Sequence, residues 1–197
     1  MKKLFVILIF GSLIMGSGVL YFQLIKELPD VESLKQVQLQ TPLRVYSSDE
    51  RLMAEFGEKR RKPVALSGVP KLFTAAFIAA EDASFFSHSG IDWVAMGRAA
   101  LQYLKTGEKR QGGSTITMQV ARNFFLSSEK TFARKFRELV LATIIEQKLS
   151  KNEILELYLN KIFLGHRAYG IGAAAQVYYG KEIVDLDLAQ MAMIAGL

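Results

Sequence analysis

No cysteine occurs among the 197 residues, so the chain forms no disulfide and offers no thiolate as nucleophile or metal ligand. This absence leaves the compartment open. Its two histidines, His88 and His166, fall short of the Cys/His set that a structural zinc site needs. Internal repeats and low-complexity tracts are lacking too. Acidic residues are the scarcer charge: 19 Asp and Glu against 25 Lys and Arg leave a formal net charge of +6 and a pI near 9.5. That balance points to an anionic partner, with nucleic acid and anionic lipid both qualifying. Apolar residues, by contrast, are in excess. They make up 50% of the chain, the mean hydropathy is +0.18, and the surplus sits at the N-terminus.

Residues 4–25 form a run of 22 without a charge, behind Lys2 and Lys3. As a helix this run is about 33 Å long, enough for a hydrocarbon core of about 30 Å. A cleaved signal peptide has a shorter apolar region, about 7–15 residues, with a small-x-small site behind it. Gly16-Ser17-Gly18 is the candidate for such a site, and it lies inside the run. The segment therefore reads as an uncleaved transmembrane helix, with a cleaved leader as the alternative. Lys2 and Lys3 then stay in the cytoplasm and the residues after Ile25 lie outside.

Residues 26–69 read as a stalk. Leu28-Pro29-Asp30 is a stop, residues 31–40 alternate loosely between apolar and polar, and residues 42–56 read as a small β-hairpin. The basic run Lys59-Arg60-Arg61-Lys62 is by default a solvated face, placed where lipid headgroups are within reach. From Pro70 to Leu197 the pattern is helical. Pro70 suits a first turn, with Ser67 as its cap. Asp92 caps a helix over 93–104 that Gly107 closes. Further helices are predicted over 116–125, 129–149 and 173–178, with a last one starting at 187–190. Ser150-Lys151-Asn152-Glu153 is a capping box before a helix over 154–163.

Chemistry is concentrated at two places. The first is Glu81-Asp82, delivered by apolar residues Leu72, Phe73, Ala76, Phe77 and Ala80 at helical spacing. A carboxylate at a helix C-terminus among apolar neighbours is disfavoured in its charged form, an environment that suits a general acid or base. A plain solvated helix end is the alternative. The second place is the predicted helix 129–149. There Lys130, Arg134 and Glu138 fall at i, i+4 and i+8, with Lys135 and Arg137 beside them. Several cations around one carboxylate make a cradle for a phosphate or diphosphate, although charged helix faces are usually just solvated. Gln111-Gly112-Gly113-Ser114-Thr115 opens a helix whose free N–H groups also favour an anion, and Arg122 follows on that helix. Separated carboxylates suggest sugar hydrolysis or transfer. The cationic cradle favours transfer with a diphosphate leaving group, and the anchor favours a lipid-linked donor.

Five ordered blocks carry a family resemblance. They are Glu81-Asp82-x-x-Phe85-x-x-His88-x-Gly90, Gln111-Gly112-Gly113-Ser114-Thr115-Ile116-Thr117, Arg134-Lys135-x-x-Glu138, Glu153-Ile154-Leu155-Glu156-x-Tyr158-Leu159-Asn160, and Gly170-Ile171-Gly172-Ala173-Ala174-Ala175 running on to Tyr179-Gly180-Lys181. Together they resemble glycosyltransferase family 51, the glycan-polymerising domain of the class A penicillin-binding proteins. Leu28-Pro29-Asp30-Val31, the hairpin, Gly57-Glu58-Lys59-Arg60-Arg61 and Arg167-Ala168-Tyr169-Gly170 are similar to a Gram-negative subtype of that class.

The resemblance implies a mostly α, lysozyme-like domain over 70–197, following the membrane helix (4–25) and the hairpin stalk. It implies polymerisation of lipid II into glycan strands at the outer face of the bacterial inner membrane, with undecaprenyl diphosphate released. Glu81 is then the general base, and Glu138 assists the departing diphosphate, directly or through a divalent cation (Mg or Mn). No tightly bound cofactor is implied. Arg122, Lys130, Arg134, Lys135 and Arg137 hold diphosphates, while Asp82, Gln111, Ser114, Thr115 and Gln119 line the substrate cleft. His88 orders the loop after Glu81; Glu153, Glu156 and Asn160 are structural.

The implied partners are lipid II, the growing strand, the membrane and other cell wall synthesis proteins, with no nucleic acid. There are two departures from the family pattern. Met118 stands where a glutamine is usual, removing a polar contact and a capping partner for Thr115. The family also continues past Leu197, so the chain reads as a C-terminally incomplete member without the penicillin-binding transpeptidase domain. Two other readings stay open: a lytic, lysozyme-type hydrolase, and a non-catalytic membrane protein that binds lipid II or protein partners.

Overall fold

The computed structural model describes residues 28–107, 113–127, 129 and 131–197. The predicted membrane helix (4–25) lies outside them, as do the candidate site residues Gln111 and Lys130. Among the described residues no helix is long and apolar enough to cross a membrane.

Where the sequence alternates loosely, Val31–Gln36 forms a 3-10 turn instead of an extended segment. Asp30 caps it by accepting from the Glu32 backbone N–H at 2.9 Å. Spacing explains the choice: Val31 and Leu34 are three residues apart, eclipse each other in a 3-10 turn, and are both buried. The predicted hairpin is present as β1 (Leu43–Tyr46) and β2 (Leu52–Phe56), paired antiparallel with Arg44 opposite Glu55. A second, two-residue pairing is not visible in local sequence: β3 (Arg60–Arg61) runs parallel to β4 (Ala168–Tyr169).

Seven α-helices among the described residues make up the body: α1 (Lys71–Glu81), α2 (Trp93–Thr106), α3 (Ile116–Phe125), α4 (Phe132–Lys148), α5 (Lys151–Lys161), α6 (Ile171–Tyr179) and α7 (Leu188–Ala195). Pro70 is the residue before α1 and not its first turn, and Ser67 sits in a separate 3-10 turn and does not cap it. The Asp92, Thr115, Ser150 and Asp187 side chains each accept from a backbone N–H three residues on, fixing the starts of α2, α3, α5 and α7. Capping boxes close at Ser150/Glu153 and Asp187/Gln190.

α3 packs between α4 and α5, α1 lies against α7, and α6 is flanked by β4 and α7. Phe73, Phe77, Phe85, Ile116, Leu141, Ile145, Leu155, Tyr158 and Ile171 are fully buried in the core, and each apolar side chain contributes about 1.5–3 kcal/mol on burial. Phe73 and Phe77 lie 5.4 Å apart, and Phe77 meets Tyr158 edge-on at 6.2 Å. At Gly172 α6 touches the Lys62 carbonyl so closely that any Cβ would collide with it.

Candidate active site

Glu81 and Asp82 end α1 and diverge. Phe73 and Phe77 point α1 into the core, and Glu81 follows at the next i+4 position as the last helical residue. The buried face of α1 runs out there, so Glu81 emerges exposed. The apolar surroundings expected for it are therefore absent. Asp82 leaves the helix and turns inward instead, with its side chain 3% exposed.

Asp82 Oδ2 accepts from the Ile116 N–H, the first residue of α3, at 3.0 Å. An anion is favoured at that position by the helix dipole. His88 Nε2 bonds both Asp82 oxygens at 3.0 and 3.1 Å, and the Gly90 N–H donates to His88 Nδ1 at 3.1 Å. Nδ1 is thus the acceptor, which assigns the proton to Nε2 and makes His88 a neutral donor to Asp82. This is the loop-ordering role expected of His88.

Gly90 adopts φ +91°, and a Cβ there would lie 2.7 Å from the Ala142 carbonyl oxygen. Its own carbonyl accepts from Thr115 Oγ1 at 2.6 Å, and Thr115 Oγ1 in turn accepts from the Met118 N–H at 3.1 Å. Asp82 and Thr115 spend their polar atoms on this frame, at the base of the cleft. The Met118 side chain is fully buried and packs where the expected polar contact is missing. Behind the frame, Lys151 Nζ donates to the His88 carbonyl and to Glu146 Oε1, both at 2.7 Å, and lies 4.4 Å above the Phe85 ring.

Glu81 itself is held from α3. Gln119 Nε2 donates to Glu81 Oε2 at 2.6 Å, and Arg122 Nη2 donates to Gln119 Oε1 at 3.4 Å. The arginine thereby turns the amide so that its NH₂ faces the carboxylate.

The second constellation starts later than its charge pattern predicts. Thr131 caps α4 by accepting from the Arg134 N–H at 3.1 Å, so the helix begins at Phe132. Glu138 is not on a solvated face: its side chain is 1% exposed. It accepts from Arg134 Nη1 and, at 2.9 Å, from Lys135 Nζ. Lys135 Nζ also donates to Ser114 Oγ at 2.7 Å, tying the cationic cluster to the loop before α3. Arg137 lies half-buried beside Glu138. Among the described residues no three His, Cys, Asp or Glu side chains gather as a metal site requires. The Glu138 carboxylate is already engaged by two side-chain cations, a donor set that does not fit a divalent ion.

Between α1, α2 and α3 opens a cleft of about 1220 Å³, lined by Glu81, Asp82, His88, Ser114, Thr115, Gln119 and Arg122. That volume exceeds the roughly 300–1,000 Å³ of a small-molecule pocket and suits an extended substrate. Arg98 of α2 lines the cleft as well. Its one signal in the sequence is that it is the sole charge among residues 93–104. Tyr158, whose ring meets Phe77 of α1, has no signal of its own beyond the block that contains it.

An exposed carboxylate thus stands beside the cleft, and a buried carboxylate in a cationic cluster is tied to its rim through Lys135 and Ser114. Residues 49–197 match the family model described as Transglycosylase, and the chain belongs to that family. It is 57% identical to penicillin-binding protein 1A of Pseudomonas aeruginosa over 98% of this chain and 23% of that protein. With penicillin-binding protein 1A of Escherichia coli the identity is 54%, over 99% of this chain and 23% of that protein. The crystal structure of penicillin-binding protein 1A from Haemophilus influenzae is 32% identical with a TM-score of 0.38, covering 82% of this chain and 14% of that one. The chain thus spans under a quarter of the length of the curated relatives it matches.

Proposed function

We propose that the chain is the peptidoglycan glycosyltransferase part of a class A penicillin-binding protein, with a lysozyme-like fold. In this reading it is anchored by residues 4–25 in the bacterial inner membrane, works on the periplasmic side, and takes lipid II and the growing glycan strand as substrates. Other cell wall synthesis proteins are its natural partners.

Glu81 takes the proton of the acceptor's sugar 4-hydroxyl as that oxygen attacks the anomeric carbon of the growing strand. The new C–O bond forms as the anomeric bond to the diphosphate breaks, with inversion, and undecaprenyl diphosphate leaves. The charge that develops on the diphosphate is met by the cations Arg122, Lys130, Arg134, Lys135 and Arg137. Glu138 acts through Arg134 and Lys135, which it fixes in place. Ser114, Gln111 and Gln119 contact the sugars.

The observation that carries this reading is the exposed Glu81 on a cleft whose rim residue Ser114 is gripped by Lys135 of the cationic cluster. The test supplies labelled lipid II to the full chain in detergent and follows polymer formed. Glu81→Gln keeps shape and removes basicity, so the rate is expected to fall by roughly 10²–10⁴-fold with lipid II binding retained. A parent-like rate in Glu81→Gln would remove Glu81 from the reaction. Release of reducing or anhydro-sugar ends from finished peptidoglycan, with lipid II untouched, would replace transfer by lytic cleavage.

A further inference from the structure

Tyr158 is fully buried, yet its hydroxyl finds no hydrogen-bond partner among the described residues. A buried phenol normally satisfies its O–H, because leaving it unpaired forfeits the water it gave up. The ring is fixed by an edge-on contact with Phe77, 6.2 Å away. Phe77 and Glu81 are four residues apart on α1, hence on one face, so the Tyr158 ring packs against the helix that presents Glu81, one turn before it. On the other side α5 packs against α3, which carries Gln119 and Arg122. Burial is the main cause that pushes the Tyr158 hydroxyl well above its usual range, with the charge of Glu81 second and Arg122 opposing. The phenol therefore keeps its proton and remains a donor.

We propose that Tyr158 is a positioning residue for Glu81: its buried hydroxyl donates to the Glu81 carboxylate when the acceptor sugar enters and displaces the Gln119 contact. The inference rests on the reading of Glu81 as general base. Glu81 is exposed and held by one amide, and an incoming sugar hydroxyl competes for the same oxygen. A donor from below leaves the solvent-facing oxygen free to receive the proton while fixing the carboxylate's orientation. Being sealed at 0% exposure, Tyr158 touches no substrate itself.

The charged and titratable groups that line the cleft with Glu81 are Asp82 at the end of α1, His88 on the following loop, Asp92 capping α2, Arg98 on α2, and Arg122 on α3. Tyr158→Phe changes none of them. It removes one oxygen and keeps the ring against Phe77.

The experiment measures lipid II polymerisation by the full chain across pH, together with thermal unfolding. Tyr158→Phe is expected to unfold at the parent temperature or above, because the orphan hydroxyl is gone, and to polymerise roughly 10-fold more slowly. Since the hydroxyl favours the charged carboxylate, its loss moves the acid limb of the rate profile to higher pH. Replacing Tyr158 by 3-fluorotyrosine gives a more acidic donor of nearly the same shape and moves that limb to lower pH. Shifts in opposite directions establish the contact. A parent-like rate and acid limb in either folded variant overturn it, while the polymerase reading stands. If the parent chain itself consumes no lipid II, the polymerase reading falls and this inference falls with it.

Discussion

Glu138 is the buried carboxylate of the cationic cluster. Its side chain is 1% exposed, and Arg134 and Lys135 both reach it. Removing both cations takes these two partners from a buried carboxylate, and breaking a buried pair typically costs about 3–5 kcal/mol. Lys135 is 36% exposed and so weighs less, placing Arg134→Ala/Lys135→Ala at about 3 kcal/mol. The loss is read from denaturant unfolding. Adding Glu138→Gln removes the stranded charge, and the triple variant is expected to recover most of the stability while still binding lipid II weakly. Unchanged stability in the double variant would mean that Glu138 does not hold its charge inside the fold. The charge pattern alone points to a solvated face here, where the same double substitution would be nearly silent.

At the scale of the element, α2 stands apart. None of its residues is buried, and Trp93, Val94 and Leu104 are 68%, 74% and 79% exposed. Asp92 ties its start to the loop after α1, accepting from the Ala95 N–H at 2.7 Å and from the Ser84 hydroxyl. The Ala95 N–H first, then the Ser84 hydroxyl, hold the Asp92 carboxyl below its usual range. The folded state therefore binds this proton more weakly than the unfolded state does. The cap's contribution is complete above about pH 4 and is lost as pH falls through the lower folded value. Hydrogen exchange of residues 93–97, corrected for intrinsic rates, is expected to accelerate in Asp92→Ala at neutral pH and in the parent only in acid. Equal protection in both chains at neutral pH would show that α2 is held by something else. This cap was legible in the sequence, as were those at Thr115 and Ser150, because a cap is a contact three residues long. The sequence also offers Glu81, Asp82, Ser114, Thr115, Gln119 and Arg122 in separate blocks, and the structure brings them to one cleft. Exposures were not legible: Glu81 opens to solvent where the buried face of α1 ends, and Glu138 is buried under Arg134 and Lys135. The hydroxyl of Tyr158 and the pairing of Arg60–Arg61 with Ala168–Tyr169 depend on packing across the whole chain, where local periodicity carries no signal.

For the molecule as a whole, the open question is whether residues 28–69 are a spacer or part of the folded body. Val31 and Leu34 are 4% and 3% exposed, and their turn packs against α4. Asn160 reaches from α5 to take the Val64 N–H on Oδ1 and give Nδ2 to the Val64 carbonyl, both at 2.8 Å. Glu156 accepts from the Leu66 N–H at 2.7 Å, and Arg167 Nε donates to the Glu58 carbonyl at 2.8 Å. These are the jobs that make Glu156 and Asn160 structural residues. Cutting the chain at Pro70 strands a buried amide, at about 1–3 kcal/mol. It also strips two buried aliphatic side chains, at about 1.5–3 kcal/mol each. The sum is comparable with the whole stability of a typical domain, about 5–15 kcal/mol. A chain beginning at Leu28 is therefore expected to show a cooperative thermal transition by far-UV circular dichroism, and one beginning at Pro70 to lose it. If both melt cooperatively at the same temperature, residues 28–69 are a detachable stalk, and the helical body carries the site without them.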